Sequence, residues 1–472
     1  MIHETTVSLK GGIVGVLRVV KDRAEILDER KLRESVIDDL IYTAVFSADE
    51  ETRQVARWII RCGGDAVGIT SASIHGLYQA MGKKEEGGFT VPAINIRTLT
   101  YDTAQAVLRA AMRLHVGPVI FEIARSEIDY TRQRPEEYAA AITAAAIKVG
   151  YRGPLFLQGD HFQINARRYA QDPAREVQAV KDLIWEAIDA GFYNIDVDTS
   201  TLVDLTRTSV REQQALNYCL AAELTTMIRD LEPPGVTISV GGEIGEVGGR
   251  NSTVSELDAF MAGYREELEK DGENPAGLSK ISVQTGTTHG GVPLPDGTVA
   301  RVKLDFATLE ELSAAARDRY GLSGAVQHGA STLPGEAFDR FPATGTAEVH
   351  LATGFQNIVY DSPNLPEELR DRIYGYVKTT FASERKEEDT EEQFLYKTRK
   401  KGLGPFKSEL WGLPPENRRI LGAELENQFV FLFEKLNVTE TWDMVRRYVQ
   451  PVAHCPKVPA ALAEQGRKDP PT

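Results

Sequence analysis

Eight short apolar runs, each separated from the next by other sequence, constrain the fold of this chain more than any other feature. They are VPAIN (91–95), PVIFEIA (118–124), PLFLQ (154–158), NIDVD (194–198), VTISV (236–240), KISVQ (280–284), GAVQ (324–327) and EVHLA (348–352). Runs of this length, nearly continuous in apolarity, are what parallel strands covered on both faces require. Segments with helical periodicity separate the first seven, among them YDTAQAVLRAAMRLH and PEEYAAAITAAAIKVG, and two connections end in Gly150 and Gly191, suited to left-handed caps. The last connection is short, opened by Pro334 and carried by GEAFDRF. Eight strand–helix units fit a closed barrel of about 250 residues. An open doubly wound sheet has the same alternation, but INIRTLT after the first run offers no GxGxxG fingerprint. The expected fold is α/β, a (β/α)8 TIM barrel with helical N- and C-terminal extensions. The expected divisions are residues 1–88 for the first extension, 89–360 for the barrel and 361–472 for the second.

Charge limits the partners. With 54 basic and 69 acidic side chains the formal charge is −15, which argues against nucleic acid and membrane surfaces as ligands. An anionic substrate would have to be held by a local site. The apolar stretch from Gly11 to Val20 is too short to cross a bilayer. Cys62, Cys219 and Cys455 are far apart and read as free thiols of a reducing compartment, which makes the cytoplasm the expected location.

Barrel enzymes carry their chemistry where strands end. Of eight histidines, His161, His289 and His328 follow three of the predicted strands at equivalent positions. Three imidazoles converging on one mouth make a zinc site with an open fourth position; three separately hydrogen-bonded rim residues are the alternative. Asp160, beside His161, either carries a proton or orients a ligand imidazole. Gly329-Ala330-Ser331 and Thr353-Gly354 occupy the loops where barrels commonly bind phosphate, although a tight turn accounts for such short sequences too. GGEIGEVGGR reads as a flexible loop.

From about residue 70 to 355, these motifs resemble the class II fructose-bisphosphate aldolase family. VPAIN resembles its opening strand with a site asparagine, here Asn95. QGDHF resembles the motif pairing a proton-carrying aspartate, Asp160, with a zinc ligand, His161. AGFYNIDVDTS resembles the segment giving Asp198 and Ser200, and GGEIGEVGG the one giving Glu243 near the metal. TGTTHGG and QHGAS resemble the other zinc motifs, giving His289 and His328, with Gly290, Gly329 and Ser331 at the substrate. The resemblance implies a zinc-dependent lyase of glycolysis. Its reaction would cleave fructose 1,6-bisphosphate, or another ketose phosphate, into dihydroxyacetone phosphate and glyceraldehyde 3-phosphate. The metal set would be His161, His289, His328, Glu243 and Asp198. Asn95, Ser200, Gly290, Gly329, Ser331, His350 and Thr353 would meet the sugar phosphate, and the chain would form a homodimer or larger homo-oligomer.

The pattern also departs from the family. Arg250-Asn251-Ser252 stands where acidic residues open a mobile loop bearing a glutamate; Glu246 is the nearby candidate for that role. His350 and Ala352 replace an asparagine and an aspartate, and Ala124 replaces a serine. A metallohydrolase and a non-catalytic paralogue therefore stay open, though the first lacks the HxH pair after the opening strand. Lys397, Arg399, Lys400 and Lys401 could meet a second phosphate or form a solvated basic face.

Overall fold

The computed structural model of the chain describes residues 1–20, 22–245, 249–270, 272, 275–286, 293, 294, 300 and 304–463. Eight parallel strands close into a barrel: β1 (Val91–Asn95), β2 (Ile120–Ala124), β3 (Gly153–Gln163), β4 (Asn194–Asp198), β5 (Ser239–Glu243), β6 (Lys280–Val283), β7 (Ala325–Gln327) and β8 (Glu348–Leu351). Closure is made by β8 on β1, with Val349 opposite Pro92 and Leu351 opposite Ile94. The expected (β/α)8 TIM barrel is what the chain folds into. A further parallel strand, Ile69–Ser71, pairs with Gly153–Leu155 at the start of β3, and Leu17–Val20 with Arg23–Ile26 forms a separate antiparallel hairpin.

The crossover helices start and stop for local reasons. Pro135 and Pro173 each occupy the first position of a helix, where a missing N–H costs nothing. Thr253 and Glu256 cap Val254–Leu268 reciprocally, and Gly150 ends Pro135–Val149 in a left-handed conformation. Gly191 also has positive φ, one residue past the Ala190 cap of Pro173–Asp189.

The two flanking regions are fastened to the barrel. Helix Pro415–Lys435 lies against helix Thr100–Arg113, with Arg109 Nε 2.7 Å from Glu426 and Arg418 3.1 Å from Asp102. Trp411 is buried against Tyr42, Phe46 and Tyr101, and its carbonyl accepts from the Tyr42 hydroxyl at 2.8 Å. Cys62 and Cys455 are disulfide-bonded, contrary to the free thiols expected, and Cys219 alone is free. Chain packing brings the tail to helix Glu50–Ala66, where Trp58 Nε1 also donates to the Pro456 carbonyl at 2.9 Å. With that bond present, the cysteines no longer argue for a reducing compartment. Among the described residues, no helix is long and apolar enough to cross a membrane.

The barrel interior is not filled by branched aliphatic side chains alone. Lys280 on β6, with no solvent exposure, donates to Glu348 Oε1 at 2.6 Å, Gln158 Oε1 at 2.8 Å and Asp196 Oδ2 at 3.0 Å. Gln158 in turn donates to Glu122 at 3.0 Å and to Glu348 at 2.8 Å. Room for this network comes from Gly241 on β5, where a Cβ would lie 2.3 Å from Asp196 Oδ1 and 2.8 Å from Lys280 Cε.

Candidate active site

The site begins with a defect in a strand. The pairing of β3 with β4 shifts register between Gly159 and Phe162, a bulge that re-aims the residues between them. Phe162 is fully buried and folds back over Gly159, where a Cβ would sit 2.5 Å from its ring. His161 adopts φ +41°, a left-handed conformation unusual for a side chain of its size. The bulge thus brings both Asp160 and His161 to the barrel mouth.

Around them gather residues from the ends of five more strands. His161 Nδ1 lies 3.0 Å from Asp198 Oδ2 and 3.2 Å from Glu243 Oε2. Its ring faces that of His328 with centroids 4.1 Å apart, and His328 faces His350 at 4.0 Å. Asp160 Oδ1 is 3.9 Å from His161 Nε2, 4.0 Å from His328 Nδ1 and 3.2 Å from His350 Nδ1. The other edge of His328 meets the Ser282 hydroxyl at 3.1 Å. His350 Nε2 is 2.6 Å from Glu348 Oε1, so the rim joins the buried lysine network below it.

Asp198 is braced from behind: Ser200 donates to it through Oγ at 2.7 Å and Gln163 through Nε2 at 2.5 Å. Ser200 is thereby turned to Asp198 and does not line the cavity above the site. Asn95 gives its amide to Glu127 at 2.5 Å and is among the residues lining that cavity, whose volume is about 350 Å³. Gly329, Ser331, His350 and Thr353 also line it. The loops after β7 and β8 are locked together, since Ser331 Oγ accepts from the Ala352 amide at 2.6 Å. Three expected residues, Glu246, His289 and Gly290, lie outside the described residues.

Charge is concentrated here. Glu122, Asp160, Asp196, Asp198, Glu243 and Glu348 are all buried, with Lys280 and three imidazoles among them and Arg97 and Lys400 lining the same cavity. Were all six ionised, they would outnumber Lys280 and the three rings, and their mutual repulsion shows in how they titrate. Burial first, then Asp198, pushes Glu243 up to about 8; burial and Asp160 push Glu122 up to about 8. Burial works against protonation of His161 and His350. For His161 it is outweighed by Asp160 and Glu243, and for His350 by Glu122 and Asp160, so both stand well above the ordinary imidazole range. A bound cation would let these carboxylates ionise together. The donor set fits one: ligand atoms of Asp160, His161 and His328 lie within 4.8 Å of one another, as do those of His161, Asp198 and Glu243. Mixed imidazole and carboxylate donors suit zinc or a neighbouring transition metal.

Glu122, Asp196, Lys280 and Glu348 also belong to this constellation, although no motif in the sequence singles them out. Their signal is a charged residue within, or at the start of, each otherwise apolar strand run.

A closed parallel barrel with histidines and carboxylates gathered at the C-terminal ends of its strands defines the class, an enzyme-type (β/α)8 barrel. The model of the class II fructose-bisphosphate aldolases matches residues 54–400, and the chain belongs to that family. Among solved structures it is similar to a fructuronate-tagaturonate epimerase of Cohnella laeviribosi, with 13% identity and a TM-score of 0.56 over 89% of this chain and 93% of that one. It is also similar to a probable tagatose 6 phosphate kinase of Sinorhizobium meliloti 1021, with 18% identity and a TM-score of 0.51 over 80% and 98%. The fructose-bisphosphate aldolase of Campylobacter jejuni is 17% identical, with a TM-score of 0.45 over 79% of this chain and 96% of that one. At these identities the chain is a divergent member, and the solved structures speak to the fold. Family membership supports an aldolase-type lyase.

Proposed function

We propose that the chain is a zinc-dependent aldolase acting on a ketose phosphate, with fructose 1,6-bisphosphate the first substrate to test. The observation that carries this reading is Asp160 set among His161, His328 and His350 at 3.2–4.0 Å, beside a cavity able to hold a sugar. His161, His328, Glu243 and Asp198 would hold the metal, joined by His289 from outside the described residues. A divalent cation there supplies a Lewis acid for the ketose carbonyl and offsets the charge of the buried carboxylates.

Asp160 accepts the hydroxyl proton of the departing aldehyde half as the carbon–carbon bond breaks, and returns it in synthesis. The electron pair of that bond stays with the ketose half, which is then quenched by a proton at carbon. Glu246 is the residue assigned to that second proton. His350 shares the proton on Asp160 and links it to Glu348. Asn95 orients the ketose half, and the loops at Gly329, Ser331 and Thr353 take its phosphate.

A second reading, epimerisation of a sugar acid, is favoured by the similarity to the fructuronate-tagaturonate epimerase, which extends over 89% of this chain. One pair of assays separates the two: triose phosphate release from fructose 1,6-bisphosphate, and interconversion of tagaturonate and fructuronate followed by NMR. Triose phosphate release supports the aldolase; interconversion without release replaces it.

A further inference from the structure

The basic stretch near residue 400 divides into four separate fates. Lys397 Nζ binds Asp389 at 2.5 Å, Arg399 binds Asp361 and Asn357 at 2.7 Å each, and Lys401 binds Glu384 at 2.5 Å. Lys400 does none of these. It turns into the cavity above Asp160, with Nζ 5.6 Å from the centroid of the Tyr130 ring. No carboxylate among the described residues lies within 4.0 Å of it.

Its place is set by packing. Gly404 N donates to the Tyr130 carbonyl at 3.1 Å, and a Cβ on Gly404 would lie 2.3 Å from that oxygen. Gly402 is pressed as closely against Ile373. The turn carrying Lys400 is therefore seated on helix Arg125–Thr131, which walls the same cavity.

A second cation lines the same cavity. Arg97 lines the cavity, held through Nε and Nη2 on Glu127 at 2.8 and 2.7 Å, with Nη1 3.2 Å from Thr353 Oγ1. Glu127 is shared with Asn95 and with the Ala124 amide, so it is fully engaged where it stands. Burial, and then the Arg97 guanidinium, push the Lys400 ammonium below its ordinary range. Two like charges directed into one partly enclosed space repel, and an anion between them turns that repulsion into charge-assisted hydrogen bonding.

We infer that Lys400 and Arg97 form an oxyanion seat that binds the phosphate or carboxylate terminus of the substrate. Among the cations lining the cavity, Arg125 is spent on Glu176 at 2.5 Å and Arg97 on Glu127, whereas Lys400, like Arg168, has no carboxylate within 4.0 Å among the described residues. The seat rests on the reading of this cavity as the substrate site, but not on which reaction follows. It also gives the C-terminal region a part in the site that the strand-end motifs do not supply.

The test is calorimetric titration of the full chain, chelated so that metal does not take the anion, with inorganic phosphate and separately with D-glucuronate. The variants are Lys400→Met, Lys400→Arg and Lys401→Met, each accepted only with an unchanged thermal midpoint. Lys400→Met should weaken binding about tenfold or more. Lys400→Arg should restore most of it, and Lys401→Met should leave it unchanged. Loss confined to phosphate names a phosphate terminus, and loss confined to glucuronate names a carboxylate. Equal binding by wild type and Lys400→Met, or no binding of either anion to wild type, overturns the seat. Lys400-dependent binding in a protein that cleaves no ketose phosphate would keep the seat and remove the aldolase reading.

Discussion

His161 on β3 and His328 just past the end of β7, from opposite halves of the chain, face each other with ring centroids 4.1 Å apart. Both rings converge on Asp160 Oδ1, at 3.9 and 4.0 Å. Replacing His328 with alanine should abolish stoichiometric metal binding and lower ketose phosphate cleavage by about a hundredfold or more. Metal content by plasma emission on folded protein checks it. Unchanged metal content would remove His328 from the ligand set.

Asp160→Asn tests the proton carrier separately from the metal. The amide keeps the shape but cannot accept a proton, so kcat should fall by about 10²- to 10⁴-fold with metal retained. The two readouts, turnover and metal content, should therefore diverge. A fall in both together would make Asp160 a ligand or a structural support.

Lys280 predicts a stability effect. Lys280→Met would remove the ammonium that Glu348 and Asp196 share and leave His350 as their remaining cationic neighbour, at a cost of about 3–5 kcal/mol. Urea denaturation would read this directly. A double variant, Lys280→Met with Glu348→Gln, should recover part of the loss because one uncompensated charge is gone.

His75 gives a pH dependence away from the site. Burial, and then Arg229, lower its pKa to about 4 from an ordinary value of 6.5. A histidine depressed in the folded state is neutral there while the unfolded chain binds its proton. Its contribution is fully present above pH 6.5 and is lost as pH falls toward 4, by about 1–3 kcal/mol. Stability measured across that window should fall less steeply in His75→Leu.

Part of this was legible in the chain itself. The runs 91–95 and 194–198 match β1 and β4 at both ends, because apolar residues and their punctuation coincide there. β5 is displaced to Ser239–Glu243 from the expected 236–240, since Gly241 and Gly242 carry no apolar signal yet are needed where a Cβ would meet Asp196 and Leu278. His161 and His328 were visible because strand-end positions can be counted along a sequence. The Lys280 network was not, because its members lie on different strands and become partners only when the barrel closes. The same holds for Cys62 with Cys455, which chain packing alone brings together. Lys400 was visible only as one of four basic residues; the partners that occupy the other three are tertiary.

The most direct test of the central claim is cleavage of fructose 1,6-bisphosphate and tagatose 1,6-bisphosphate by the purified chain, as isolated, after chelation, and after zinc is restored. The account predicts triose phosphate release that is lost on chelation and recovered with about one zinc per chain. Stoichiometric zinc with no release from either ketose, or release untouched by chelation, would contradict it.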